Sequence, residues 1–220
     1  MDNTLKLKKE SFCVSKRFFY DRSYKIKELT QKIEYDNIIY KNEKVNITDM
    51  LSDIFHNITS NKKMYCFLSQ GDPTDTNITT TGYFTDFENV GYNTLVGEFS
   101  IMFVSLFSHG RYFYPKYNKK AYVINKAIVD KYSKYKIDVD YSIVNNDIKI
   151  KNISMNLPKR NKKLILKYID FYLNNKNYNK YSDDYKYLKY YICMRLFTPI
   201  DIENMEEEDK ITILTLSLLI

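Results

Sequence analysis

The sequence has no Trp, and its 220 residues include only five Gly, four Pro, three Cys and two His. So few glycines and prolines exclude collagen-like and low-complexity chains. The cysteines, Cys13, Cys66 and Cys193, are odd in number and form no C-x-x-C pair. That argues against a disulfide framework or a zinc site. With only His56 and His109, a histidine-rich metal centre is excluded. No stretch reaches the ~18 apolar residues of a membrane span. Residues 1–10 are polar and lysine-rich, unlike a signal peptide. A reducing, intracellular compartment and no membrane association are expected. The glycine motifs of P-loop and dinucleotide-binding proteins are missing, as are the metalloprotease helix motif and the serine nucleophile elbow. No cofactor is expected.

What is present can build a core. The chain is 44% hydrophobic and 16% aromatic, with 22 Tyr and 13 Phe. Its length suits one large domain, or one domain with a small appendage. Net charge is +7, from 34 Lys and Arg against 27 Asp and Glu. The charges read as spread along the chain and mixed in sign. The excess leans toward a polyanionic partner such as a nucleotide or nucleic acid, against a merely solvated lysine-rich surface.

Residues 12–20 are expected as a strand or buried run. Residues 24–35 and 38–47 lean to β structure around a turn at Asp36-Asn37, although Ile26, Leu29 and Ile33 also fit a helical stripe. Thr48 is expected to cap a short helix carrying Met50, Leu51, Ile54, Phe55 and Ile58. His56, within that helix, reads as a surface or half-buried side chain. A strand over 64–68 ends at the turn signal Gln70-Gly71-Asp72-Pro73. All five glycines lie between Gly71 and Gly110. Strands are therefore expected near 78–84, 92–96 and 99–107, the last apolar on nearly every residue, as in a strand covered on both faces. A helix is expected over 122–135, then a hairpin over 139–144 and 148–154 turned by Asn145-Asn146-Asp147.

Beyond Leu157-Pro158 glycine is absent and helical spacing takes over. Ile165, Ile169 and Leu173 form one stripe. Tyr185, Leu188, Ile192 and Leu196 follow a cap at Ser182, and Thr198-Pro199 opens a third segment. Glu206-Glu207-Glu208-Asp209 reads as a solvated first turn. The apolar residues 211–220 must pack inside the fold or against a partner. The expected architecture is α+β, with a β-rich core over 1–156 and a small helical appendage over 157–220.

One stretch combines groups that carry chemistry. Gly110-Arg111-Tyr112-Phe113-Tyr114-Pro115-Lys116 runs on toward Tyr122-Val123-Ile124-Asn125-Lys126. On a helix Tyr122 and Lys126 share a face. A phenol beside an ammonium suits a phosphate, with Arg111, Lys116 and Lys119 close in sequence. Abundant Tyr and Lys make such a spacing common by chance. His109 falls at the end of the apolar run, beside a glycine turn.

From Gly71-Asp72-Pro73 to about Ser154 the order of features resembles the poxins, the viral nucleases that cleave 2′,3′-cGAMP. The resemblance rests on Ile78, Thr80 and Tyr83, then Gly91 and Gly97, then Gly110-x-x-x-Tyr114-x-Lys116 and Tyr122-x-x-x-Lys126, then Asp140-Tyr141 with Ile148 and Ile150. It covers well under half of the chain. It implies a mostly antiparallel, chymotrypsin-protease-like β core and a metal-free reaction. In that reaction a ribose 2′-hydroxyl attacks the phosphorus of the 3′–5′ linkage and expels the 5′-oxygen, which needs a base, an acid and positive charge on the phosphate. Tyr122 and Lys126 match the family's catalytic pair, with Arg111 and Lys116 as substrate contacts. The family's base is a histidine near its N-terminus. Residues 1–55 contain none here, which leaves His109 as the stand-in. After Ser154 the family continues as a basic hairpin, whereas this chain turns helical.

Three readings follow. The first is a viral immune-evasion protein of the host cytoplasm that binds 2′,3′-cGAMP, as a nuclease or as a sequestering binder. The second is an inactive scaffold of the same ancestry, working through protein contacts at its helical C-terminus or as a homodimer. The third is a basic nucleic-acid-binding protein with stacked tyrosines.

Overall fold

The computed structural model describes residues 8–11, 16–60, 63–74, 77, 79, 81, 83–87, 90–107, 113, 116–117, 135, 137–174 and 187–219. In chain order the elements are β1 (Lys8–Ser11), α1 (Lys16–Lys32), β2 (Asn37–Tyr40), β3 (Glu43–Asn46), α2 (Ile47–Thr59), β4 (Lys63–Ser69) and β5 (Gly91–Thr94). They continue with α3 (Leu95–Phe107), β6 (Ile137–Val144), β7 (Asp147–Met155), α4 (Lys159–Asn174), α5 (Leu188–Phe197) and α6 (Glu207–Leu218). A 3-10 turn, Ile202–Asn204, precedes α6. The α+β class expected from the sequence is the class observed.

Two hairpins owe their turns to residues that tolerate left-handed backbone. Lys41 and Asn42 adopt φ of 49° and 69°, and Asn145 and Asn146 adopt 52° and 63°. Two consecutive left-handed residues give a tight turn whose twist suits a hairpin. The hairpins β2–β3 and β6–β7 then join through a parallel β2–β7 pairing that sets Ile38 opposite Ile148. The result is a mixed sheet in the order β3-β2-β7-β6. A second sheet, β1-β4-β5, is antiparallel throughout.

Helix α2 follows its sequence signal closely. Ile47, Leu51, Ile54 and Ile58 form its buried stripe. The cap is Asn46 rather than Thr48, with the Asp49 amide donating to Asn46 Oδ1 at 2.9 Å.

Several expected strands are helical. Residues 16–32 form α1, so the helical stripe through Ile26 and Leu29, both buried, overrides the β-leaning composition. The 99–107 run lies within α3. Val96, Phe99, Ile101, Met102, Val104 and Leu106 are all buried there, as are Ser100 and Ser105. A helix enclosed on every side shows no polar stripe, so in sequence it looks like a strand covered on both faces. Among the described residues of the expected 78–84 strand, only Phe84 makes an isolated bridge. Thr198 does not open a helix; it closes α5, its hydroxyl donating to Met194 O at 2.8 Å. The expected cap at Ser182 and the helix over 122–135 lie outside the described residues.

The core is centred on α5 and α6. Residues 191–197 of α5 and 211–217 of α6 are buried throughout. The apolar C-terminal run therefore packs inside the fold. One cluster joins Ile26, Ile38, Leu51, Val104, Ile148, Tyr191 and Leu214, so residues on both sides of position 157 share it. Burying a side chain such as Leu51 or Leu214 contributes about 2 kcal/mol. Hydroxyls inside α6 bond back along the helix: Thr212 Oγ1 to Glu208 O and Ser217 Oγ to Leu214 O.

Candidate functional site

Of the residues that the sequence singles out for chemistry, His109, Arg111, Tyr122 and Lys126 lie outside the described residues. Lys116 lies within them. Its ammonium sits 2.6 Å from Asp209 Oδ2 and 2.8 Å from Glu206 Oε2, at the N-terminal end of α6. Tyr117 donates its hydroxyl to Asp209 Oδ2 and accepts the Glu206 amide at 3.1 Å. Phe113 is buried in the main cluster. Asp209 itself is 5% exposed, so the acidic run is not wholly a solvated turn as its composition suggests.

Glu207, beside it, receives the hydroxyls of Tyr35 at 3.3 Å and Tyr141 at 3.4 Å. Burial first, and the Glu207 carboxylate second, push Tyr35 up to about 12. Tyr141 is raised for the same reasons, and Tyr117 by burial and its bond to Asp209. Phenols raised in this way stay protonated and serve as donors. Acids on the positive end of a helix, bonded to a cation and three phenols, make a fastener. Lys116 is a clasp between residues 116–117 and α6.

A second constellation, at the end of sheet β1-β4-β5, was not legible as a site. Gly71, at φ 86°, lets the chain turn sharply after β4. Asp72 then meets Arg195 of α5, Nη2 to Oδ1 at 2.7 Å. Arg195 is 4% exposed. Glu98, in the first turn of α3, accepts Ser69 Oγ at 2.8 Å and the Asn93 side-chain amide. Desolvation raises the Glu98 carboxyl, opposed by those two hydrogen bonds; Asp72 raises it further and Arg195 lowers it. Thr94 caps α3 by accepting the Gly97 amide at 3.0 Å. A Cβ on Gly97 would stand 2.8 Å from Asn93 Oδ1 and 2.9 Å from Thr94 Oγ1, so this position admits no larger residue without displacing the cap.

This polar clamp holds an outward-facing lobe. The buried Gln70 side chain donates to Thr85 O at 3.0 Å and to Asp86 O. Asn77 Nδ2 donates to Asp72 O at 2.9 Å. Within the lobe, the Thr79 amide donates to Tyr83 O and the Thr85 amide to Asn77 O, both at 2.8 Å. On this frame Tyr83 is 74% exposed, Phe87 62% and Leu68 63%. Phe84, Val90 and Tyr92 are exposed as well, and Tyr92 is the cross-strand partner of Leu68.

The charge pattern sharpens the contrast. Residues 64–110 contain no Lys or Arg, and their acids are Asp72, Asp75, Asp86, Glu88 and Glu98. Taking these five from the total of +7 leaves +12 on the rest of the chain. The charges are segregated, not evenly mixed. This gap in cations was the sequence signal that could have marked the lobe.

Other chemistry is sparse. Among the described residues no group of three or more His, Cys, Asp and Glu could hold a metal ion. None of the described helices is long and apolar enough to cross a membrane. A cleft of about 220 Å³ lies between α1 and residues 197–203, edged by the Lys32–Glu203 ion pair at 2.6 Å. That is below the range of about 300–1,000 Å³ usual for small-molecule sites. No family model, no curated protein and no solved structure matches the chain.

Proposed function

We propose that this chain is an interaction protein and that the lobe formed by residues 83–87 and 90–92 with Leu68 is its contact surface. One observation carries the reading. Two buried polar residues are committed to holding a loop that turns Tyr83, Phe84 and Phe87 outward: Gln70 directly, and Arg195 through Asp72, which accepts Asn77. Large aromatic groups held on a hydrogen-bonded frame lose little freedom on binding, and such groups dominate protein interfaces. This agrees with the inactive-scaffold reading of the poxin resemblance, with the contact surface moved from the helical C-terminus to the lobe. A photo-crosslinking side chain placed at Tyr83, in cells producing the protein, should give discrete protein adducts. The same group placed at Leu166, an exposed position on α4, should not. Identical adducts from both positions would overturn the reading.

A second reading retains the nucleotide. The run from Gly110 to Lys126 supports a poxin-like protein of the host cytoplasm that binds, and as a nuclease cleaves, 2′,3′-cGAMP. In that reading Tyr122 and Lys126 orient and neutralise the phosphate, Arg111 assists, and His109 takes the base role. The chymotrypsin-like core belongs to this proposal. Lys116, clasped by Asp209 and Glu206, contributes to holding the segment. Calorimetry with 2′,3′-cGAMP in EDTA, with chromatography of the product and Lys126→Ala as control, tests it. Neither heat nor product would remove the nucleotide.

A further inference from the structure

We infer that the lobe receives a cationic segment of another protein, one that sets Lys or Arg side chains against the exposed rings of Tyr83, Phe84 and Phe87. The inference rests on the reading of the lobe as a contact surface and adds the chemistry of its partner.

Three observations converge. Aromatic faces attract cations, Arg above all, and here three rings are exposed within five residues. Asp86, exposed and seated between Phe84 and Phe87, adds a carboxylate to the same surface. Asp72, beneath the lobe, is already paired with Arg195, so Asp86 is the acid on offer, and residues 64–110 contribute no Lys or Arg of their own. A segment that presents aromatic rings and a carboxylate and contributes no cation is complementary to a basic chain.

The same charge argues against the other occupants. A two-fold dimer through this face would set acid against acid. Nucleic acids and anionic membranes carry the same sign as the lobe and are repelled. The frame is set before binding: Gln70 clasps the carbonyls of Thr85 and Asp86, and the Thr79 amide fixes Tyr83. A flexible basic segment would therefore do the ordering, against a surface that changes little.

The test uses the full chain and two labelled eight-residue peptides, one alternating Arg and Leu, the other Glu and Leu. Fluorescence anisotropy should show the Arg peptide binding and the Glu peptide not. Binding should weaken as salt rises from about 50 to about 300 mM. Tyr83→Ser with Phe87→Ser should weaken it about tenfold. Asp86→Asn should weaken it severalfold; Asn tolerates the φ of 55° found there, so the backbone is kept. Leu166→Ser should leave it unchanged. Equal binding of both peptides, or equal binding by every variant, overturns the cationic partner. So does sedimentation showing that wild type self-associates while Tyr83→Ser with Phe87→Ser stays monomeric, which would make the occupant a second copy. Tyr83 crosslinks retained while the peptides fail would overturn the chemistry alone. Loss of both would overturn the surface itself.

Discussion

Arg195 of α5 and Asp72 of the turn after β4 stand 123 residues apart in sequence and 2.7 Å apart in space. Their ion pair links the all-buried helix at the centre of the core to the base of the aromatic lobe. Replacing either partner removes that link and leaves a charge in a poorly solvated place. Asp72→Ala and Arg195→Met should each lower stability by about 3 kcal/mol. The double variant should lose less than the sum, because the two residues act as a pair. Urea midpoints for the four proteins of the cycle measure this, and strict additivity would contradict it.

Glu98 should make stability depend on pH. Its folded carboxyl is raised, chiefly by desolvation, with Ser69 and Asn93 opposing. For such a group the favourable contribution is complete below the unfolded pKa of about 4.3 and is lost as pH rises through the folded value. Glu98→Gln keeps an oxygen for Ser69 and Asn93 but carries no charge. Wild type should therefore lose stability relative to Glu98→Gln between acid and neutral pH, a difference readable in denaturation midpoints. A constant difference across that range would refute the effect.

Lys116 should behave as a clasp. Lys116→Met leaves Asp209, 5% exposed, still accepting the Tyr117 hydroxyl but without the ammonium that balances its charge, at a cost of about 3 kcal/mol. Adding Asp209→Asn should restore part of the loss by removing the buried charge. Thermal unfolding of the three proteins checks this. If Lys116→Met proves as stable as wild type, the clasp is not a structural one.

Cys193 is 4% exposed, and burial pushes its thiol up to about 12. Because the thiolate is the reactive form, the native protein should resist a thiol reagent at a pH of about 8. In a Cys13→Ser, Cys66→Ser background, labelling should follow the rate of opening and accelerate with denaturant. Immediate labelling of the native protein would show that α5 is accessible.

Legibility in the sequence followed the locality of the signal. The hairpin turned by Asn145-Asn146 was readable because two adjacent residues carry it. So was α2, where Leu51, Ile54 and Ile58 repeat on one face. Helix α3 was misread because enclosure on every side removed the polar residues that reveal a period. Lys116 drew notice as a cation near a tyrosine. Nothing local showed that Asp209, 93 residues on, would hold it. The Asp72–Arg195 pair was hidden for the same reason. The absence of cations over residues 64–110 was open to reading, but it shows only when charge is followed along the chain and not summed.

The parallel pairing of β2 with β7 has a consequence for how the protein acquires its structure. Asn37 lies opposite Asp147, so the mixed sheet cannot close until two residues 110 positions apart in sequence have been brought together. The β2–β3 hairpin can form early from local contacts, and then waits with one row of backbone groups unsatisfied. Closing so large a loop carries an entropic cost that must be met before its contacts are gained. Ile38 and Ile39 stand on that waiting edge. An edge left open for that long can pair with other chains, so slow closure here favours aggregation.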